Sequence, residues 1–282
     1  MNRSVLSCIQ VRLLIQAKRE HRSRATTSLD LGLTTGEARL HADRVELSDG
    51  QTLTWETLEK IAADEVGCFV IEHGRAQKIQ VYSEEFDRVY SLMPTQRAPT
   101  LLISGLPMHR IKDIDPVEDT RRKVRAVAPL TGRILDTATG LGYTAIEAAR
   151  TAAQVVTIEI DPAAQWVARL NPWSQALFDN PKIQPIIGDA FAEAPHLEAG
   201  AFSRILHDPP TFSLAGELYS EEMYRRLFRV LRRGGRMFHY IGNLDSSSGQ
   251  RVLKGVVRRL QAAGFTRITR KPEAFGLVAH KE

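Results

Sequence analysis

"ILDTATGLGYT", residues 134–144, joins a short apolar run to a helix-forming one through a turn that holds two glycines. "RILDTA" reads as a buried strand and "YTAIEAARTAA" as a helix. Gly140 and Gly142 can take backbone angles closed to other residues, and they let a ligand approach the chain. Glu159 ends the next apolar run, nineteen residues after Gly140. That is the spacing expected of a carboxylate that binds ribose hydroxyls. The position three after Gly142 is Ala145, which the broad dinucleotide fingerprint permits. Asp136, however, stands where a diphosphate would be repelled. A carboxylate at that strand end suits a cationic ligand better.

The same alternation continues downstream. "VVTIEI" is a strand and "DPAAQWVARL" a helix; "IQPIIGDA" and "SRILHD" are further strands, followed by "EEMYRRLFRVLRR" as a helix and "RMFHYIGN" as a strand. Strands alternating with helices of this length predict a doubly wound parallel α/β sheet over residues 105–282, with "DPVEDTRRKVRAV" as a helix leading into it. Upstream, residues 28–104 read as a smaller β-rich domain. "ARLHADRVELSDGQTLTW" turns at Asp49-Gly50, Thr54 caps a short helix, and "GCFVIEHGRAQKIQVYS" gives two strands around His73-Gly74. A boundary falls near "MPTQRAPT". Residues 1–27 are expected to be a loosely ordered basic extension. An organelle-targeting peptide and a nucleic-acid-binding arm are the competing readings, although the apolar residues could line one face of a short helix. Arg12 interrupts any secretory signal.

Composition narrows the class. Charged residues make up 25% and apolar ones 43% of the 282 residues, as in an ordinary globular protein. No segment approaches the roughly 20 apolar residues that span a bilayer. Cys8 and Cys68 lack metal-ligand or disulfide spacing, so no metal is expected and a cytoplasmic, reducing location is. The net charge of +5 is unevenly placed: thirteen bases and one acid lie between Arg225 and Lys271, against thirteen acids and six bases between Ser28 and Val89. That asymmetry permits a polyanionic partner for the C-terminal half.

Four segments in order, "ILDTATGLGYT", "VVTIEIDP", "IIGDAF" and "ILHDPPTF", resemble motifs I to IV of class I S-adenosylmethionine-dependent methyltransferases. The resemblance spans roughly residues 105–282 and implies a Rossmann-like seven-stranded methyltransferase sheet that binds S-adenosyl-L-methionine. It implies that Asp136, Ala138 and the Gly140–Gly142 loop hold the amino-acid portion of the cofactor. Glu159 would then take the ribose hydroxyls, Asp189 would accept from the adenine amine, and Ala190 would offer its amide. Asp189 could equally be a helix cap.

"DPPT", residues 208–211, resembles the Asp/Asn-Pro-Pro-aromatic tetrapeptide of methyltransferases that act on nitrogen. There the acid or amide side chain and the first proline's carbonyl orient an amine; here these are Asp208 and Pro209. In an in-line displacement most of the catalysis comes from positioning, and well-oriented pairs gain roughly 7–11 kcal/mol. The aromatic position is Thr211, and the aromatic follows as Phe212. "DPPTF" is therefore similar to a form seen in ribosomal RNA methyltransferases, where Phe212 would stack on a flipped base. A pyrimidine C5 route needs a cysteine nucleophile, and both cysteines lie outside this half.

Other residues carry weaker expectations. His207 is read as core or as support behind the site. His109 and Arg110 could border the site, and Trp173 after Pro172 is ordinary packing. Glu217 and Tyr219 fall in a segment long enough for a lid, and Arg225, Arg226, Arg229, Arg232 and Arg233 share one predicted helix. The preferred function is methylation of a nitrogen of a nucleic-acid base, RNA before DNA. A spermidine synthase-like aminopropyltransferase acting on a polyamine is the alternative. A non-catalytic RNA-binding factor with a vestigial pocket is the third. No membrane partner is expected.

Overall fold

The computed structural model describes residues 3–210 and 215–282. Internal packing divides them into two units, Met1–Val117 with Ala163–Gln175, and Glu118–Pro162 with Ala176–Glu282.

The first unit is built on antiparallel strands. Ser4–Ser7, Cys68–Glu72 and Arg75–Lys78 form one sheet; Arg24–Thr27, Gly36–Leu40, Arg44–Glu46 and Thr52–Thr54 form a second; Gln80–Ser83, Arg88–Met93, Thr100–Ile103 and Leu106–Pro107 form a third. The Asp49-Gly50 turn and the His73-Gly74 hairpin stand where the sequence placed them, and Thr54 caps the helix Trp55–Ala63. Residues 3–27 depart from expectation. Ser4–Ser7 pairs with Cys68–Glu72, and Cys8–Arg19 is a helix. The Ser7 hydroxyl accepts from the Ile9 amide, and the Gln10 side-chain oxygen accepts from the Ser7 amide, satisfying backbone donors at the helix start. Leu6, Val11 and Leu14 share a core with Val45, Leu53, Leu58, Ile61 and Ile71. The basic residues that suggested a loose extension sit on the other side. Arg12 pairs with Glu65, Arg22 with Glu20, and Arg24 with Glu37, all exposed. The segment 163–175 also belongs to this unit: the Trp173 indole donates to the Leu31 carbonyl at 3.1 Å.

In the second unit seven strands make one sheet: β1 (Arg133–Asp136), β2 (Gln154–Glu159), β3 (Ile183–Ile187), β4 (Phe202–His207), β5 (Leu231–Tyr240), β6 (Thr266–Lys271) and β7 (Gly276–His280). Their order is 3-2-1-4-5-7-6; β7 is antiparallel to both neighbours and the other pairings are parallel. This is the Rossmann-like methyltransferase fold. The first two strands after the opening one run outward on one side, and β4 then starts the other side. The sheet therefore has a topological switch point between β1 and β4, where open α/β sheets bind ligands at their carboxyl ends. Helices α1 (Pro116–Ala126), α2 (Tyr143–Ala149), α3 (Pro162–Leu170), α4 (Glu221–Val230) and α5 (Ser247–Ala262) punctuate the chain. The core gathers Leu135, Val156 and Ile205 of the strands with Tyr224 and Leu227 of α4 and Val256 of α5. Helix α4 stops at Val230, so Arg232 and Arg233 lie on β5 and not on the helix predicted for them. Leu231 is buried in register with Phe202, which starts the strand early, and Gly234, at a positive φ, lies in the bulge where the register shifts before Arg236. Among the described residues no helix is long and apolar enough to cross a membrane.

The placement of the first helix is checked by paired truncations. Leu14→Ala, at a fully buried position, is expected to cost about 2–5 kcal/mol in urea unfolding, while Leu13→Ala, 50% exposed, costs within about 0.5 kcal/mol. Equal small effects would return the segment to a loose extension.

Candidate active site

Strand β1 ends in Asp136, which is wholly buried. Its Oδ2 accepts from the Thr157 hydroxyl on β2 (2.9 Å) and the Thr144 hydroxyl on α2 (3.0 Å). Its Oδ1 has no hydrogen-bond partner among the described residues. Burial pushes this carboxyl up to about 7, against the pull of the two threonines, and nearby Asp208 adds to the rise. The turn after it carries Ala138, Gly140 at φ +51° and Gly142 at φ +77°. A Cβ on Gly142 would lie 2.7 Å from the Leu177 side chain, whereas one on Gly140 would meet nothing within 4 Å. Gly142 is thus needed for packing as well as for its backbone angle, and Gly140 leaves open space over the turn.

Glu159 ends β2. Its Oε2 accepts from the Gly140 amide (2.8 Å) and its Oε1 from the Asp161 amide (3.2 Å), so the loop and the carboxylate hold each other. Burial raises its carboxyl, and those amides oppose the rise. Asp189, beyond β3, caps the short helix Ala190–Glu193 by accepting from the Phe191 amide at 2.9 Å, and Ala190 is buried. Ile187 pairs in register with Glu159; with Ile160 it is an exposed apolar side chain at these strand ends, 42% and 43% exposed. Sequence reading missed both isoleucines. Three carboxylates and an apolar margin at adjacent strand ends suit a ligand with a cationic group, hydroxyls and a flat apolar part. They disfavour a diphosphate.

Across the switch point, Asp136 is in register with Leu206 of β4, and Asp208 follows that strand directly. The Asp208 Oδ2 accepts from the Lys123 ammonium at 2.7 Å, and Lys123 also pairs with Asp119 at 3.0 Å. Lys123 is 2% exposed and lies 4.7 Å from the Tyr240 ring centroid. Burial alone would lower its basicity; the Asp208 and Asp119 carboxylates outweigh it and hold the ammonium charged. Lys123 is the main site residue that sequence reading missed. The signal was present as a buried stripe at helical spacing, Asp119, Thr120, Lys123, Val124 and Val127.

Behind Asp208, His207 is fully buried, its Nδ1 2.7 Å from the Thr137 hydroxyl and its Nε2 2.9 Å from the Leu218 carbonyl. A carbonyl can only accept, so Nε2 carries the proton and Thr137 donates to Nδ1. Burial pushes this imidazole down to about 4, so it stays neutral. Tyr219 is 1% exposed and donates to the Pro210 carbonyl, while Arg259 donates to its own carbonyl. It is an anchor in the core and not the lid residue that sequence suggested. Thr211 and Phe212 lie outside the described residues. His109 and Arg110 belong to the first unit, where His109 bonds the Thr100 hydroxyl. The arginines of α4 are engaged within the chain: Arg225 with Glu221, Arg226 with Glu222 and the Phe191 carbonyl, Arg229 with the carbonyls of Ala194, Pro195 and Leu197.

No protein-family model matches the chain. The uncharacterized protein MJ1233 of Methanocaldococcus jannaschii is 42% identical over 260 residues, covering 90% of this chain and 88% of that one. Among solved structures, a spermidine synthase in complex with the transition-state analogue AdoDATO aligns over 73% of this chain and 76% of its own, at 15% identity and a TM-score of 0.58. The spermidine synthase of Thermotoga maritima aligns over 73% and 75%, at 15% identity and a TM-score of 0.57. MNMC2 of Aquifex aeolicus aligns over 68% and 70%, at 18% identity and a TM-score of 0.53. At such identities these likenesses carry the fold.

Asp136 gives the site a pH signature. With its carboxyl raised to about 7, the folded chain keeps a proton that the unfolded chain releases near pH 4, so stability from this group is full in acid and lost as pH rises through 7. Asp136→Asn lacks that slope. Between pH 5 and 8 the variant's unfolding free energy is expected to gain about 2–3 kcal/mol relative to wild type in urea titrations. Parallel pH curves would show that the buried carboxyl does not titrate there.

Proposed function

We propose that this chain, which belongs to the same family as the Methanocaldococcus jannaschii protein, is an S-adenosylmethionine-dependent methyltransferase acting on a nitrogen of a nucleic-acid base, RNA before DNA. The observation that carries this is the pairing of two carboxylate sites across one switch point, Asp136 at the end of β1 and Asp208-Pro209-Pro210 after β4. The residues fit the cofactor: a buried carboxylate oxygen of Asp136 lacks a partner among the described residues beneath an open glycine turn, and Glu159 and Asp189 stand at the next two strand ends. S-adenosylmethionine, when bound, supplies a methyl group on a positively charged sulfur. Asp136, Ala138 and the Gly140–Gly142 turn would hold its amino-acid end, Glu159 its ribose, and Asp189 with Ala190 its adenine.

Asp208 and the Pro209 carbonyl would accept hydrogen bonds from the substrate nitrogen and fix the direction of its lone pair. Two consecutive prolines stiffen that backbone before substrate arrives. For a polyanionic substrate, the exposed bases Arg232, Arg233, Arg251, Lys254 and Arg258 are the groups on offer, since α4 spends its own arginines on internal partners. A cytoplasmic location accords with an RNA substrate.

A second reading, aminopropyl transfer to a polyamine, draws on one observation. Asp119, Asp136 and Asp208 outnumber Lys123, the buried cation that pairs with two of them, which favours a cationic amine. The spermidine synthase likenesses agree with it.

The test supplies purified protein with labelled S-adenosylmethionine or its decarboxylated form, together with RNA from cells lacking the protein, putrescine or spermidine. A labelled base after digestion to nucleosides is expected, and Asp208→Ala should lower that transfer about 10²–10³-fold while cofactor affinity stays within about threefold. A labelled polyamine would select the second reading. Calorimetry without binding of either cofactor would leave a non-catalytic RNA-binding factor.

A further inference from the structure

The "EDTRRKV" helix leads into the sheet, and it delivers the most enclosed cation among the described residues. Lys123 sits on α1 with 2% exposure, and a buried ammonium without partners would be strongly disfavoured. Its partners come from three elements. Asp119 lies one turn earlier on the same helix at 3.0 Å, Asp208 follows β4 at 2.7 Å, and the Tyr240 ring at the end of β5 lies 4.7 Å from Nζ. His207 and His239 are in register on β4 and β5, so Asp208 and Tyr240 leave the sheet side by side. Asp136 at the end of β1 and Tyr219 beyond β4 also feel the Asp208 charge. Asp119 is fully buried, whereas the Asp208 side chain keeps 18% of its surface. The enclosed acid therefore serves the lysine, and the lysine serves the acid that reaches the site.

We infer that Lys123 is a positioning residue: the Asp119 carboxylate balances its buried charge, and the ammonium, hydrogen-bonded to Asp208, holds that carboxylate charged and in one orientation as the acceptor for the substrate nitrogen. This rests on the proposed role of Asp208. An ionised carboxylate has only acceptor positions, so the arrangement selects a nitrogen that carries a proton. It disfavours a ring nitrogen that offers only a lone pair. A fixed ion pair also removes the rotamer freedom that an isolated aspartate would keep, and positioning of this kind acts on the rate more than on binding.

The test separates this inference from the function on which it rests, because its main readout needs neither cofactor nor substrate. In protein carrying ¹³C at the aspartate side-chain carboxyls, the Asp208 signal is assigned by its loss in Asp208→Asn. Wild type is expected to show no Asp208 titration between pH 8 and 5. Lys123→Met should bring the midpoint up by at least one pH unit, and Lys123→Arg should restore the wild-type curve. An Asp208 curve unchanged by Lys123→Met would overturn the inference, as would an arginine variant that titrates like the methionine one. If Lys123→Met does not fold, the unaltered side chain carries the test. The Lys123 ¹⁵Nζ resonance should shift on Asp208→Asn, and an unmoved resonance would overturn the contact. With active enzyme and the RNA probe, Lys123→Met should lower kcat at least 100-fold with KM for the cofactor within threefold, and Lys123→Arg should recover at least a tenth. Wild-type kcat in Lys123→Met, with the Asp208 titration shifted, would strike the positioning role alone. Absence of transfer by wild type to every substrate would strike the proposed function, with the carboxyl titration still deciding what Lys123 does.

Discussion

The Asp136 carboxylate, shut away from water, ties together the elements that make the site. One oxygen takes hydroxyl hydrogen bonds from Thr157 on β2 and Thr144 on α2, while its own strand pairs with β2 on one side and β4 on the other. A buried carboxylate is costly unless its oxygens are bonded, and here one oxygen is satisfied by the fold and the other has no partner among the described residues. The bonded oxygen ties β1 to β2 and α2, and the other is left as an acceptor. Glu159 extends the same logic: its two oxygens are held by the amides of Gly140 and Asp161, so the loop cannot shift without releasing a buried charge.

How much was legible in the residues depended on range. The strand-turn-helix around Gly140 and Gly142, the acid at the end of β2 and the short-range turns of the first unit are local patterns, and they stand where they were read. Lys123 was missed because its decisive partner, Asp208, is 85 residues away. No periodicity shows that a lysine on one helix will close over an acid at a distant strand end. Its own turn offered a clue, since Asp119 and Lys123 are spaced as an i,i+4 pair. On a surface helix such a pair is routine, and only burial gives it weight. The first 27 residues were obscured in the opposite way. Basic composition masks the buried stripe of Cys8, Val11, Leu14 and Ala17, which folds the segment together with the pairing of Ser4–Ser7.

Composition also overstated the basic face. Counting arginines between residues 225 and 271 treats each as a free cation, but a guanidinium has five donors and readily ends up on backbone carbonyls. Arg229 caps three of them after the short turns beyond β3, and Arg259 binds the Tyr219 carbonyl. These side chains secure loops. Whatever polyanion the protein meets, they are already committed.

The chain enters the first unit twice, through residues 1–117 and again through 163–175. Val167 and Leu170 of α3 are buried in that second passage, and Trp173 donates to the Leu31 carbonyl there. During synthesis the ribosome must therefore deliver β1 and β2 before the N-terminal unit can be completed, a delay of several seconds at roughly 5–20 residues per second. The unit that begins first cannot finish first, and neither half corresponds to an uninterrupted stretch of message.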